Sequence, residues 1–352
     1  ILNVEINGSA PFCFEPVPMD AVCRDPKAPA EARVNDLLAR MTLNEKIRMM
    51  GGFQTFFFPG NDRFGLKPVL LNDATSGLHL RPDIEGEYSA IEESTSFPLA
   101  AALAATWQPE LAEAMGRAIG EECRAAGTGV LLGPGVNIHR TSTGGRNFEY
   151  MSEDPYLASR MAVRHIIGVQ QMGIIATVKH FIANNHEFLR HDSNALIDER
   201  TLHEIYLPTF AAAVQEADVK AVMSAYNWLN GAKCGEDRTL LTDILRGELG
   251  YTGMVMSDWG GTEEMGKVLD SGQNIVMPHM KNLGEIVRAE IASGNKEEVE
   301  ARIDKMIAPT FKVLFEMGTW DRPASDPAFN ATFAAHKTVA RTIAEAAITL
   351  LK

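Results

Sequence analysis

Short, largely apolar runs bounded by glycine, proline or polar residues alternate along this chain with longer stretches whose apolar positions recur every three or four residues. The short runs lie at 68–71, 130–132, 174–178, 221–223, 254–256 and 275–277, and each reads as a buried strand. Between them, helices are expected at 109–126, opened by Pro109 and closed by Gly127, and from Pro155 to a stop at Gly173. Further helices are expected at 199–217 behind Asp198 as cap, at 240–249 before Gly250, and near 283–292 and 299–315. Nearer the start, Val34, Leu37, Leu38 and Met41 mark one helix face. Thr42 with Glu45 then forms a capping box for a second helix ended by Gly51 and Gly52. Strands alternating with helices in this way argue for an α/β fold with a parallel sheet, either closed as a barrel or open and doubly wound.

The two ends depart from the pattern. Residues 1–28, broken by Pro11, Pro16, Pro18 and Pro26, read as an extended lead-in, and 29–325 as the main domain. The aromatic stretch 53–58 is expected to line something rather than hang free. Residues 326–352 carry one more alanine-rich helix and then Ile348-Thr349-Leu350-Leu351-Lys352, which reads like a strand just beginning. An apolar strand with an open edge invites pairing, so more protein is expected to follow.

The ends of the strands carry the candidate chemistry. In a closed barrel they converge on one mouth, which here would collect Asp73, Arg146, Lys179 with His180, Tyr226, and Asp258 with Trp259. Taken singly, Asp258 could merely cap a helix beginning near Thr262, and a lone histidine or lysine is more often structural or solvated. Recurrence at five successive strand ends favours a site. Carboxylates and a guanidinium grip pairs of hydroxyls, while an indole covers the apolar face of a sugar ring. The neighbouring cations are expected to keep Asp258 ionised, as a nucleophile must be. A metal-dependent hydrolase using His180, His186 and His191 with Asp258 is disfavoured, because the spacing fits no common ligand pattern and Lys179 would repel a cation. No metal or cofactor is expected.

Composition sets limits without choosing a function. Of 352 residues, 45% are hydrophobic and 22% charged, enough for a large core. A net charge of −13 disfavours nucleic acid or an anionic membrane as partner. No apolar run approaches the roughly 18 residues of a membrane span, so the chain reads as soluble. It opens at Ile1, which is compatible with a removed leader, and a periplasmic or secreted location is preferred to a cytoplasmic one. Cys13 and Cys23 could pair, whereas Cys123 and Cys234 read as buried thiols.

With these residues in view, the sequence from about Asp25 to its end resembles glycoside hydrolase family 3, in particular its β-glucosidases. The resemblance is carried by Gly133-Pro134-Gly135-Val136-Asn137-Ile138, Gly145-Arg146-Asn147-Phe148-Glu149, Ser152-Glu153-Asp154-Pro155-Tyr156, Lys179-His180-Phe181, Ala221-Val222-Met223-Ser224-Ala225-Tyr226-Asn227 and Ser257-Asp258-Trp259. It implies a TIM-type (β/α) barrel, irregular variants included, and retaining hydrolysis through a glycosyl-enzyme on Asp258. It also implies that Asp73, Arg146, Lys179, His180, Arg190, Tyr226 and Trp259 hold the non-reducing sugar, with Asp73 favouring glucose over xylose. The expected substrates are β-glucosides or cello-oligosaccharides; β-xylosidase activity, a broader exo-β-glycosidase activity or a non-catalytic sugar-binding role are the alternatives. Where the family usually has Gly-Pro and then an arginine after the aspartate, this chain has Ala74-Thr75 and His79, so either Arg81 reaches in or His79 makes a weaker contact. The acid/base is expected from a second, α/β sandwich domain beginning after residue 347. Among candidates within the chain, Glu149 is expected to orient Arg146 or Lys179, and Glu153, Glu263 and Glu264 to sit at helix starts. Glu187 is the substitute hardest to dismiss.

Overall fold

The computed structural model describes residues 16–81, 88, 91–279, 283–294 and 296–350. Six strands form its main sheet: β1 (Phe57–Phe58), β2 (Val69–Asp73), β3 (Thr128–Leu132), β4 (Ile175–Phe181), β6 (Ala221–Ser224) and β9 (Met254–Ser257). A smaller sheet joins β5 (Asn194–Ala195), β7 (Trp228–Leu229) and β8 (Ala232–Lys233). From β2 to β9 the main sheet is parallel, while β1 runs antiparallel to β2.

Single bridges close the sheet into a barrel. Met256 bridges Ile275, Val276 bridges Gly51, and Phe53 bridges Phe57 of β1. The hydrogen bonds Ser257 N–H to Ile275 O (3.0 Å), Gly52 N–H to Val276 O (2.9 Å) and Phe53 N–H to Phe57 O (2.8 Å) complete the circuit. The run at 275–277 is therefore not a full strand: it forms a single bridge to the neighbour on each side. Gly52 is needed at this seam, since a Cβ there would stand 2.2 Å from Pro278 O. The helix before it ends at Arg48, and its Thr42–Glu45 capping box forms as the spacing indicates.

Side-chain alternation builds the core. Val69, Leu71, Val130, Leu132, Ile175, Ala221, Met223, Met254 and Met256 fill the barrel, while the intervening Leu131, Ala176, Val178, Val222 and Val255 face the helical layer. That layer includes Pro109–Ala126 and Pro155–Gln171. Gly127 closes the first of these in the left-handed region, at φ 83°. Two other expected helices are altered. The stretch 199–217 is interrupted by a π turn, Leu202–Tyr206, before Pro208–Gln215, with Leu207 N–H reaching back to Leu202 O at 2.9 Å. Asp198 caps its start through Thr201 N–H. The helix Thr239–Glu248 is likewise of π type and ends with Leu249 N–H on Ile244 O.

The flanks pack onto this body. Val17, Ala21 and Cys23 are buried against Ala30–Arg40 and Lys296–Glu316, so the described part of the lead-in is folded in; Cys13 lies outside the described residues. The helix Phe333–Ala347 docks on Pro109–Ala126, with Ile343 in the main core and His336 held between Glu121 and Glu122. Ile348 and Leu350 are exposed and in no strand. No helix among the described residues is long and apolar enough to cross a membrane.

Candidate active site

Period-two alternation carries two carboxylates to the barrel mouth. Val69 and Leu71 point inward, so Asp73 does too; Met254 and Met256 point inward, and two residues later so does Asp258. Strand β4 breaks the rule usefully. Lys179 pairs with Met223 and Phe181 with Ser224, which leaves His180 as an extra residue in a bulge. Lys179 and His180 consequently face the mouth together, and Phe181 returns to the helical layer. Because β1 is antiparallel, Phe56 just before it reaches the same mouth.

These residues line a cleft of about 340 Å³ with Asp73, Leu132, Arg146, Lys179, His180, Arg190, Met223, Tyr226, Asp258, Trp259 and Phe56 in its wall. Its size falls within the range usual for small-molecule sites. Leu132 and Met223 form an apolar floor, and Phe56 and Trp259 stack with ring centroids 5.0 Å apart. Trp259 Nε1 donates to Thr55 O at 2.9 Å, which fixes the indole.

Asp258 does not cap a helix. The next helix, Met265–Ser271, begins seven residues on, and Asp258 Oδ1 accepts the N–H of its neighbour Trp259 at 2.8 Å. Its Oδ2 is buried without a hydrogen-bond partner, 3.5 Å from His180 Nε2. Burial pushes this carboxyl above the usual aspartate range, and Arg146, the Trp259 N–H, Tyr226 and Lys179 pull against it without reversing the direction. The neighbouring cations expected to keep Asp258 ionised do favour its charged form, but desolvation is the larger effect. The same burial, with Asp258's charge, holds the Tyr226 phenol protonated.

His180 is neutral, its basicity lowered far below normal by burial and then by Arg146, Lys179 and Arg190. Arg146 donates to Nε2 at 2.8 Å, so Nδ1 carries the proton toward Asn137 Oδ1 at 3.2 Å. Asn137 also accepts His180 N–H and donates to His180 O, both at 2.9 Å. Three cations around this imidazole oppose any divalent ion, and no cluster of metal-ligating side chains occurs among the described residues. Glu149, buried behind the wall, ion-pairs with Arg146 through one oxygen and stands 3.6 Å from Lys179 Nζ through the other. Lys179 also lies 3.4 Å from Asp73.

Arg81 stands apart from the cleft lining. Its guanidinium stacks on Phe56 at 3.2 Å, bonds Asn72 Oδ1 at 2.9 Å and approaches Asp73 at 3.5 Å, so it touches the site through those residues. His79 lines a neighbouring hollow and gives its backbone N–H to Asp73 O. Arg190 does line the cleft, stacked on Tyr226 at 4.5 Å and paired with Glu187 at 2.7 Å. Glu153, Glu187, Glu263 and Glu264 are not in the lining, and Glu263 and Glu264 pair with Lys233 and Lys267. Sequence reasoning did not single out Asn137, although it lies inside a quoted motif, or Tyr150, which directly follows another; Tyr150 OH meets His180 Nδ1 at 3.2 Å.

A closed barrel whose strand ends assemble a polar, aromatic-walled cleft around an unpartnered carboxylate oxygen defines the class: an α/β barrel with a small-molecule site at its mouth. The glycosyl hydrolase family 3 N-terminal domain matches residues 77–308, and the chain belongs to that family. It is 40% identical over 285 residues, 80% of its length, to thermostable beta-glucosidase B of Acetivibrio thermocellus, and 41% identical over 284 residues to a beta-glucosidase of Rhizobium radiobacter. It superposes on beta-glucosidase 3B of Thermotoga neapolitana, solved with glucose, with a TM-score of 0.81 and 35% identity over 91% of this chain. The chain spans 38%, 34% and 47% of the lengths of these three proteins.

Proposed function

We propose that this chain is the nucleophile-bearing part of a retaining β-glucosidase that removes terminal non-reducing β-D-glucosyl residues. The observation that carries the reading is Asp258, which lines a cleft of about 340 Å³ and whose Oδ2 is buried and unpartnered. Oδ2 attacks the anomeric carbon as the bond to the leaving oxygen breaks, and that oxygen takes a proton from a general acid. Water, deprotonated by the same group, then displaces Asp258 and releases glucose. Asp73, Lys179 and Arg146 hold the sugar hydroxyls, His180 accepts from Arg146 to fix its direction, and Trp259 covers a ring face. Asp73 at the outer end of the cleft favours glucose over xylose.

The acid/base comes, in this reading, from a C-terminal α/β sandwich domain after residue 347. Retention needs a second carboxyl about 5–5.5 Å from the first. Among the described cleft residues the other carboxylate is Asp73, which lies beside Lys179 and Arg81. The short spans of this chain on its relatives fit a further domain.

Asp258→Asn tests the reading: hydrolysis of 4-nitrophenyl β-D-glucoside should fall at least about a thousandfold while the protein stays folded. Unchanged turnover would overturn it, and no turnover in the wild type would favour a sugar-binding role.

A further inference from the structure

The loop that follows the proposed nucleophile is held from outside. After Asp258 the chain passes through Trp259, Gly260 and Gly261 to Glu264, the residue at the N-cap of the helix Met265–Ser271, whose own side chain caps nothing. Glu236 holds the turn just ahead of that helix. Its Oε1 accepts the backbone N–H groups of both Glu263 and Glu264, the second at 2.9 Å, and the residue is only 9% exposed. Lys233, with its side chain 1% exposed, ion-pairs with Glu263. Between them, Gly235 lies flat on the loop: a Cβ there would stand 2.9 Å from Thr262 Cγ2 and 3.0 Å from Gly261 O.

Cys234, between Lys233 and Gly235, touches the other two loops of the site. Cys234 N–H donates to Asn227 O, next to Tyr226, and Cys234 Sγ lies 3.6 Å from Ile182 O, two residues beyond His180. The segment Lys233-Cys234-Gly235-Glu236 thus meets the loops after β4, β6 and β9 at once. Its effect on Asp258 is short-ranged. Gly261 N–H donates to Asp258 O at 2.9 Å, and Trp259 N–H holds Asp258 Oδ1 at 2.8 Å. Releasing residues 261–264 frees the Gly261 donor to move, and a shift of about an ångström at a nucleophile is enough to cost two orders of magnitude in rate.

We propose that residues 233–236 form a cradle that aims Asp258, with Glu236 and Gly235 as positioning residues acting through the loop 259–264. The inference rests on the β-glucosidase reading above. A buried carboxylate that only stabilised the helix start would, on removal, lower the unfolding temperature and leave turnover intact.

The test compares Glu236→Ala, Gly235→Ala and Glu236→Gln with the wild type on 4-nitrophenyl β-D-glucoside, with thermal unfolding in parallel. E236A and G235A should lose about tenfold or more in kcat with KM changed less than about threefold, because Asp73, Lys179 and Arg146 stay on β2, β4 and the loop after β3, and the Trp259 indole stays fixed by Thr55 O. E236Q keeps the Oε1 acceptor and should restore kcat to within about threefold of wild type. Should E236A fail to accumulate folded, G235A carries the test. Wild-type kcat in both E236A and G235A would overturn the cradle while leaving the reading intact, and E236Q as slow as E236A would overturn it by making charge the requirement. A wild type without turnover removes the reading and the inference together.

Discussion

At the scale of single residues, the site is a contest between burial and charge at Asp258. Burial raises its pKa, while Arg146 and Lys179 lower it. Activity that needs the carboxylate should therefore fail on acidification at a higher pH than an ordinary aspartate would give. Removing a cation makes ionisation harder still, so Arg146→Met should move the acid limb of kcat/KM upward and reduce its plateau by about 10²–10³-fold. An acid limb that stays put or moves downward in that variant would contradict the electrostatic assignment. Both carboxylates were legible in the sequence because period two carries the parity of buried neighbours to Asp73 and Asp258. His180 was legible only as a residue type, since its direction depends on a bulge that no local pattern announces. Asn137 was not legible as a partner, because the His180 backbone it brackets is far away in sequence.

At the scale of elements, stability comes from close helix contacts and well-served caps. Pro109–Ala126 and Pro155–Gln171 approach through glycines: a Cβ on Gly168 would meet Glu113 O at 2.3 Å, and one on Gly116 would meet His165 O at 2.2 Å. Gly168→Ala should destabilise the fold by about 1–3 kcal/mol in chemical unfolding, despite alanine's better helix propensity. Glu45 closes the capping box while binding Arg63 and Asn61. Burial opposes its charge, yet these donors take its pKa from 4.5 down to about 2. A depressed carboxylate stabilises above its unfolded value and loses that contribution as pH falls through the folded one. Glu45→Gln should therefore cost about 1–3 kcal/mol at neutral pH, a deficit that shrinks between pH 4.5 and about pH 2. A deficit independent of pH over that window would show that shape rather than charge matters there. Caps and prolines made most helix ends readable in advance. The π turns did not show, because a five-residue hydrogen-bond step leaves the apolar period almost unchanged over one turn.

At the scale of the whole molecule, alternation left open and closed sheets equally possible, and the barrel is closed by bridges of one residue each, too short to register as a pattern. In the proposed reading the cleft holds the groups that grip the sugar, yet the described carboxylates in it are Asp73 and Asp258 alone. If the acid/base belongs to a further domain, this chain by itself should turn over 4-nitrophenyl β-D-glucoside slowly and leave cellobiose intact, because a good leaving group needs little protonation. Equal efficiency on both substrates would place the acid within these residues and make Glu187, paired with Arg190 beside the cleft, the first to replace. The central claim is that Asp258 forms a covalent bond to the sugar. The most direct measurement is peptide mapping by mass spectrometry after reaction with a 2-deoxy-2-fluoro-β-glucoside bearing a dinitrophenyl leaving group, which forms the glycosyl-enzyme and stalls its hydrolysis. A single fluoroglucosyl adduct on the peptide containing Asp258, absent in Asp258→Asn, is the expected result; an adduct on another residue, or turnover with no adduct, would contradict the account.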